Sequence, residues 1–177
     1  MADTIRQDED MPADYPDVPD NLSTAAQALD LDLIWQRIEA YVAHRWTARN
    51  VTWIVEGRGD WSPPLTPSTI ATIEIWQADS WQVVTVPPSP LGGYVLPGHG
   101  PYRLKGTAGS GDVPAVVTEA FRRLAEYMAA KPGKPGARSE SIGAGSISLS
   151  HTRSPAWMAE AIKNSGAGDL LRPYRRA

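Results

Sequence analysis

Cysteine is absent from this sequence of 177 residues. Disulfide bonds, thiolate metal sites and cysteine nucleophiles are therefore excluded, and the composition fits a reducing compartment. The sequence also lacks any stretch of about eighteen apolar residues, so no membrane span is expected. Its N-terminus has no basic region followed by an apolar run, and we therefore expect no secretion signal.

Residue patterns typical of catalytic and metal sites are also missing. The three histidines, His44, His99 and His151, fall in a helix end, a Gly-Pro loop and the C-terminal region, and no pair has the spacing of metal ligands. Residues 106–112 are rich in glycine, but Asp112 stands where a phosphate-binding loop needs Lys. The sequence therefore predicts no enzyme activity, no cofactor and no metal.

Charge is nearly balanced overall but unevenly distributed along the chain. The formal net charge of −3 argues against a protein that coats nucleic acid. The first twenty residues contain seven acidic residues and one basic residue, Arg6, whereas the last six contain Arg172, Arg175 and Arg176. Because residues 1–21 have few apolar side chains to bury, they are predicted to form a flexible acidic arm.

Two segments have the apolar spacing of amphipathic helices. In residues 112–130, apolar side chains recur at spacings of three and four, and Lys131-Pro132-Gly133 forms a stop signal. Residues 31–45 have the same spacing, with Asp30 or Asp32 at the N-terminal end. Neither helix can bury its apolar face alone, so we expect the two helices to pack together.

Between these helices the apolar period changes to two, which is typical of β-strands. The clearest strand is 70–76, and Ala78-Asp79-Ser80 favours a hairpin turn into 81–86. Because strands so close in sequence usually pair with one another, we expect an antiparallel meander. The predicted fold class is α+β, a core of two amphipathic helices over 22–130 with an inserted antiparallel β-meander. Further strands are predicted at 51–56 and 102–107, and loops at 57–69 and 87–100, the second of them around a short apolar segment at 94–96.

Residues 131–177 are predicted to be a linker followed by an extended C-terminal interaction tail. Residues 139–150 have the pattern of a strand that pairs with another element, and Ser154-Pro155 predicts the start of a short helix that continues to 163. Apolar and aromatic side chains beside arginines are typical of interfaces rather than of a solvated end. The predicted partner-binding residues are Ile142, Ile147, Leu149, Trp157, Met158, Ile162, Leu170, Leu171, Arg172, Pro173, Tyr174 and Arg175.

Six of the seven tryptophans divide by their context. Trp61 lies in a Pro-rich loop and Trp157 in the predicted tail helix, so both are candidates for anchors in a protein interface. Four others lie on the faces of predicted elements and are most simply interpreted as core residues. These four are Trp35, Trp53, Trp76 and Trp81.

Several short segments follow one another in a characteristic order. Ile38-Glu39-Ala40-Tyr41 precedes Val51-Thr52-Trp53 and a strand-rich insert, and Gly109-x-Gly111-Asp112-Val113-Pro114 then leads into an amphipathic helix. This order resembles the head–tail connector (adaptor) proteins of long-tailed phages. The run 143–176, with Ser165-Gly166-Ala167 and Leu170-Leu171-x-Pro173-Tyr174, is most similar to adaptors of the phage-like gene transfer agents of alphaproteobacteria. The resemblance covers roughly residues 30–177.

The resemblance implies a structural role at the head–tail junction of a virion or gene transfer agent particle assembled in the bacterial cytoplasm. Such adaptors form a twelve-membered ring beneath the portal and leave a channel for DNA. The implied partners are further copies of this chain, the portal protein, the next tail-side connector (stopper) and DNA that passes without sequence recognition, and no membrane. The C-terminal tail would face the portal. Loops 57–69 and 87–100, with Trp61, Tyr94 and His99, would supply ring or tail-side contacts.

Two other functions remain open from the residues alone. One is a free-standing binding module whose aromatic-rich strands hold a peptide or glycan. The other is a cell-wall or nucleic-acid hydrolase, which ranks last because no set of catalytic residues can be nominated. The acidic arm lies outside the resemblance, and both a role in DNA sliding by repulsion and simple mobility fit its composition.

Overall fold

The computed structural model describes residues 2–130, 139–144, 147–152 and 157–175, with side chains for 2–130 and 157–175. The described chain divides into two compact units. We call residues 2–16 and 43–112 the sheet unit, and residues 17–42 with the described part of 113–175 the helical unit. The elements are β1 (Asp3–Glu9), α1 (Thr24–Gln27), α2 (Leu31–Tyr41), β2 (Arg49–Glu56), β3 (Gly59–Trp61), β4 (Ser68–Gln77), β5 (Ser80–Val83), β6 (Tyr94–Leu96), β7 (Tyr102–Ala108), α3 (Ala115–Ala129), β8 (Ser139–Ala144), β9 (Ile147–Thr152), α4 (Ala161–Asn164), α5 (Ala167–Leu170) and a 3₁₀ turn (Arg172–Tyr174).

The α+β class is as predicted, but the units cross the predicted boundaries. The strands between α2 and α3 belong to a unit of their own rather than to one helical core over 22–130. Residues 157–175 belong to the same unit as the two long helices rather than to a separate tail. The division follows where each segment buries its apolar side chains, which sequence order alone does not reveal.

A five-stranded antiparallel sheet in the order β1-β2-β7-β4-β5 forms the sheet unit. In β2, Val51, Trp53 and Val55 are buried, while the residues between them are half-buried, so alternation explains the strand. The predicted meander is wrong in its order, because β7 lies between β2 and β4. The β4–β5 hairpin is as expected, with Ala78 and Asp79 at φ of 49° and 58° in its two-residue turn.

The N-terminal segment corrects the prediction of a flexible arm. Residues 3–9 form β1, which pairs antiparallel with β2 from Asp3↔Glu56 to Glu9↔Val51. Trp53 Nε1 donates a hydrogen bond to Gln7 Oε1 at 2.9 Å. The prediction counted only apolar side chains, whereas the backbone ladder and polar partners from later in the chain order this segment.

Glu9 joins the end of β1 to two buried arginines. Arg45 Nε donates to Glu9 Oε1 at 2.5 Å and Arg45 Nη2 donates to Oε2 at 3.0 Å. Arg49 Nη1 donates to Oε1 at 3.1 Å, and both arginines are buried. One carboxylate therefore binds two guanidinium groups that have left water, which makes it an important partner for both.

The two long helices of the helical unit pack together as expected. The rings of Trp35 in α2 and Phe121 in α3 lie 4.9 Å apart between centroids, and Ile38 and Leu124 are fully buried. Asp30 Oδ1 accepts from Leu33 N at 3.2 Å and caps α2. The helix ends at Tyr41, earlier than predicted, because the backbone of Val42 is extended.

Two predictions for the C-terminal region require correction. Residues 139–144 and 147–152 form two strands that pair with each other, β8 with β9, rather than one strand that pairs with another element. The helix predicted from Ser154-Pro155 begins later, at Ala161, and residues 157–160 form turns before it. Ser154 and Pro155 themselves lie outside the described residues.

Candidate functional site

The C-terminal segment, residues 157–175, folds onto α3. Three of its residues, Ala161, Ala167 and Leu171, are fully buried. α4 and α5 both pack against α3, and the small side chains of Ala161 and Ala167 allow close approach at these contacts. The segment is therefore part of the helical unit's core and not an extended tail.

The prediction that Leu171 binds a partner requires correction. Its side chain is fully buried in the single chain, so it cannot contact a partner directly. The remaining predicted residues of this segment differ in their access to solvent. Arg172, Pro173 and Arg175 are exposed, whereas Trp157, Met158, Ile162, Leu170 and Tyr174 are half-buried.

Trp157 and Met158 are held against the two long helices. The rings of Trp157 and Tyr127 lie 5.8 Å apart between centroids at an interplanar angle of 57°. Arg37 Nη1 donates to the carbonyl oxygen of Met158 at 2.8 Å. Trp157 thus keeps a partly exposed face in a fixed position, as an aromatic anchor for a protein partner requires.

A basic concavity of about 440 Å³ lies where the C-terminal segment meets the end of α2. The Arg175 guanidinium lies over the Tyr41 ring, 4.7 Å from its centroid, and Arg175 Nη1 donates to Tyr41 Oη at 3.4 Å. Tyr41 Oη in turn donates to Gly168 O at 3.5 Å. The lining residues are Tyr41, Lys163, Gly166, Gly168, Asp169, Arg172 and Arg175.

The exposed face of α3 carries a compact ion cluster. Glu119 accepts from Arg122 Nε and Nη2, both at 2.8 Å, and from Arg123 Nε at 2.7 Å. The hydrogen bonds from Arg122, and next those from Arg123, lower the pKa of Glu119 to about 2. The expected contacts one helical turn apart therefore form, and they keep this carboxylate charged throughout the physiological range.

A second carboxylate of α3 fixes the start of α1. Glu126 accepts from Ser23 N at 2.7 Å and from Ser23 Oγ at 2.8 Å. The bond from the Ser23 backbone, and then the bond from its hydroxyl, lowers the pKa of Glu126. This contact ties residues far apart in sequence within the helical unit.

In the sheet unit, the prediction that Trp61 forms a ring or tail-side contact is wrong. It is 4% exposed, its ring lies 6.1 Å from that of Trp53, and its Nε1 donates to Thr4 Oγ1 at 2.8 Å. The loop that was predicted around it contains β3, which pairs with β6. Tyr94, in β6, is half-buried against the core, and the side chain of His99 is exposed.

The β4–β5 hairpin carries an aromatic pair that sequence reasoning placed in the core, but Trp76 is exposed and Trp81 is half-buried. Trp76 is 42% exposed and meets Trp81 edge to face, with 5.3 Å between the ring centroids. The Arg103 guanidinium lies 4.5 Å from the Trp81 ring centroid. Trp76 lies two residues after Glu74 in β4 and therefore on the same face, opposite to the buried Ile73, and this parity was the available sign that Trp76 is not a core residue. We call Trp76 and Trp81 the hairpin tryptophan pair.

Within residues 2–130, 139–144, 147–152 and 157–175, no group of three His, Cys, Asp or Glu residues is placed to hold a metal ion. Burial, and then the charge of Arg45, lowers the pKa of His44. None of the helices that the structure describes is long and apolar enough to cross a membrane.

Comparison with known proteins gives similarity in structure but not in sequence. No family model matches the chain, and no curated protein matches it significantly. One similar solved chain comes from the neck of an empty GTA particle computed with C6 symmetry, with a TM-score of 0.52 and 16% identity over 98% of this chain and 96% of that chain. Another comes from the neck of a native GTA particle computed with C12 symmetry, with a TM-score of 0.50 and 16% identity over 94% and 96%. This chain therefore has the fold of a chain found in the necks of gene transfer agent particles, in agreement with the resemblance read from its sequence.

Proposed function

We propose that this chain is a structural adaptor subunit of the head–tail junction of a phage-like particle. The observation that carries the proposal is a fold shared along nearly the whole chain with a neck subunit. The adaptor would form a ring beneath the portal, join the capsid to the tail and leave a channel through which DNA passes without sequence recognition. No enzymatic role is proposed.

The symmetry of the neighbours supports a ring of about twelve copies of this chain. A closed ring needs two different surfaces on every subunit, one for each neighbour. Tyr94 and His99, with the exposed parts of loop 87–100, are proposed for ring or tail-side contacts. The hairpin tryptophan pair replaces Trp61 as the aromatic contact of this group, because Trp61 is buried.

The C-terminal region is proposed to engage the portal, with the next tail-side connector, or stopper, on the opposite side. Trp157 supplies a fixed and partly exposed aromatic face, and Arg172 and Arg175 supply exposed guanidinium groups. The β8–β9 hairpin, which contains Ile142, Ile147 and Leu149, is proposed to belong to the same surface. Leu171 supports this surface only indirectly, from the core beneath it.

The absence of cysteine gives a direct test of location. Ser110→Cys places one thiol at an exposed position outside the proposed contacts, and maleimide gold then labels each subunit once. In electron micrographs of purified particles we expect gold at the head–tail junction, with about twelve labels per particle. The unsubstituted chain, treated identically, is the control. Gold spread over the capsid or along the tail, or no gold on particles, would contradict the adaptor.

The hairpin tryptophan pair also favours a second candidate, a free-standing module that binds a peptide or glycan. Aromatic faces beside a guanidinium group suit such ligands. This function predicts a monomer whose tryptophan fluorescence changes with ligand and that is missing from particles. The gold-labelling experiment separates the two functions, because only the adaptor remains in the particle.

A further inference from the structure

Residues 14–20 present a regular row of carboxylates. The sequence Asp14-Tyr15-Pro16-Asp17-Val18-Pro19-Asp20 repeats an aspartate every third residue, with prolines between. The three aspartates are thus close together in the sequence, and the residues between them carry no charge. The structure has no helix or strand from 15 to 19, and all three aspartates are exposed. We call Asp14, Asp17 and Asp20 the acidic ladder.

The acidic ladder differs from the acidic residues that precede it. Glu9 binds Arg45 and Arg49, Asp8 pairs with Arg6, and Asp10 accepts from Asn50 Nδ2 at 3.1 Å. By contrast, none of the three ladder carboxylates forms an ion pair or hydrogen bond with any residue that the structure describes. The charge of β1 is therefore used within the chain, while that of the ladder is available to another molecule.

The basic concavity has the opposite character. Its lining contains three cations, Lys163, Arg172 and Arg175, and one carboxylate, Asp169. The stacking of Arg175 on Tyr41 fixes one guanidinium group at the wall. Arginine binds carboxylates through two parallel N–H donors, so a preset guanidinium favours carboxylate ligands.

We propose that the acidic ladder of one copy docks on the basic concavity of a neighbouring copy. This inference rests on the proposed function, because the ring supplies the second copy. It assigns Arg172 and Arg175 to the contact between copies, while Trp157 remains on the portal side. The two features are different patches of the same chain, which is what a head-to-tail contact in a closed ring requires. Their opposite charges specify the direction of the contact and speed the encounter of subunits, and the exposed part of the contact weakens as salt is raised.

A charge exchange tests the contact in assembled particles. Lys163→Glu with Arg172→Glu reverses the concavity, and Asp14→Lys with Asp17→Lys reverses the ladder. We expect either pair alone to lower the copies of this chain retained per particle about tenfold, since like charges then face each other. Combining all four substitutions restores retention to within about threefold of the natural chain. Asp112→Lys with Glu56→Lys makes the same charge change at two other exposed positions and leaves retention unchanged.

The variant that combines all four substitutions shows which molecule binds the basic concavity. If the reversed concavity loses assembly and the reversed ladder does not restore it, the ligand is an acidic segment of another protein or the phosphates of DNA, and the proposal fails. If neither reversal alters retention, the proposal also fails. In both cases the gold-labelling experiment can still place the chain at the neck, so the loss of this contact is distinguishable from the loss of the adaptor function.

Disulfide trapping tests the contact independently and leaves the acidic ladder and all three cations of the concavity unchanged. Val18→Cys and Asp169→Cys in the same chain place thiols beside the ladder and in the concavity. Oxidised particles should give a series of covalent multimers on non-reducing gels, because each disulfide joins neighbouring copies. Val18→Cys with Ser110→Cys is the matched control and should stay monomeric. Trapped chains that run only as monomers would overturn the contact between copies.

Discussion

The two ends of the chain look equally loose in the sequence, yet they become ordered in different ways. The N-terminal segment has few apolar side chains and forms β1, held by a backbone ladder and by partners such as Arg45 for Glu9. The C-terminal segment is ordered by packing, with Leu171 and two alanines buried against neighbouring elements. The comparison teaches that apolar content predicts order only where packing, rather than polar pairing, is the source of stability.

The largest expected effect comes from the packed end. Leu171→Ala removes a fully buried side chain and leaves a cavity, so we expect a loss of about 3–4 kcal/mol in the free energy of unfolding. Urea denaturation followed by circular dichroism measures it. Leu91→Ala, at an exposed position, is the matched control and should change the free energy by less than about 0.5 kcal/mol. Equal effects of the two substitutions would mean that the C-terminal segment does not contribute to the core.

A smaller loss is expected at the polar end. Glu9→Gln leaves the buried Arg45 and Arg49 without their shared carboxylate, and we expect a loss of about 2–3 kcal/mol. Hydrogen exchange of the β1 and β2 amides should accelerate together in this variant, since the two strands share a ladder. Asp3→Asn is the control at the other end of the same strand. Unchanged exchange in Glu9→Gln would show that the backbone ladder alone holds β1.

The smallest effect is expected at Glu119, whose ion pairs lie on an exposed helix face. Its pKa is lowered to about 2, so any stability from this cluster is present above the ordinary pKa near 4.5 and is lost as the pH falls through about 2. Between pH 7 and about pH 5.5 the cluster should therefore not contribute to any change in stability, and its contribution should fall from about pH 4.5 down to about pH 2. Carboxyl NMR titration of Glu119 should give a midpoint near 2. A midpoint near 4.5 would mean that the cluster does not form in solution.

Local patterns in the sequence predicted several elements well. The apolar stripe of α3, including Phe121 and Leu124, is buried as expected, and Ala78-Asp79 form the hairpin turn. These features depend on residues close to one another in the chain. The sequence also suggested the neck-subunit resemblance, and the structural comparison supports the corresponding fold.

Features that depend on distant residues could not be predicted in the same way. Trp61 seemed a poor candidate for burial until Thr4, from the N-terminal segment, provided a partner for its indole N–H. The position of β7 between β2 and β4 follows from long-range pairing, which strand propensity does not determine. The basic concavity likewise combines Tyr41 with residues near the end of the chain, so no local motif predicts it.

The position of β1 has a consequence for synthesis. This strand is synthesised before β2, and its partner Glu56 in the Asp3↔Glu56 pair is added 53 residues after Asp3. At translation rates of about 5–20 residues per second, β1 remains without that partner for roughly 3–10 s during synthesis. Charged residues such as Arg6 and Asp8 discourage pairing with other nascent chains during this delay. The acidic start of the sequence therefore also protects a strand whose partner has not yet been made.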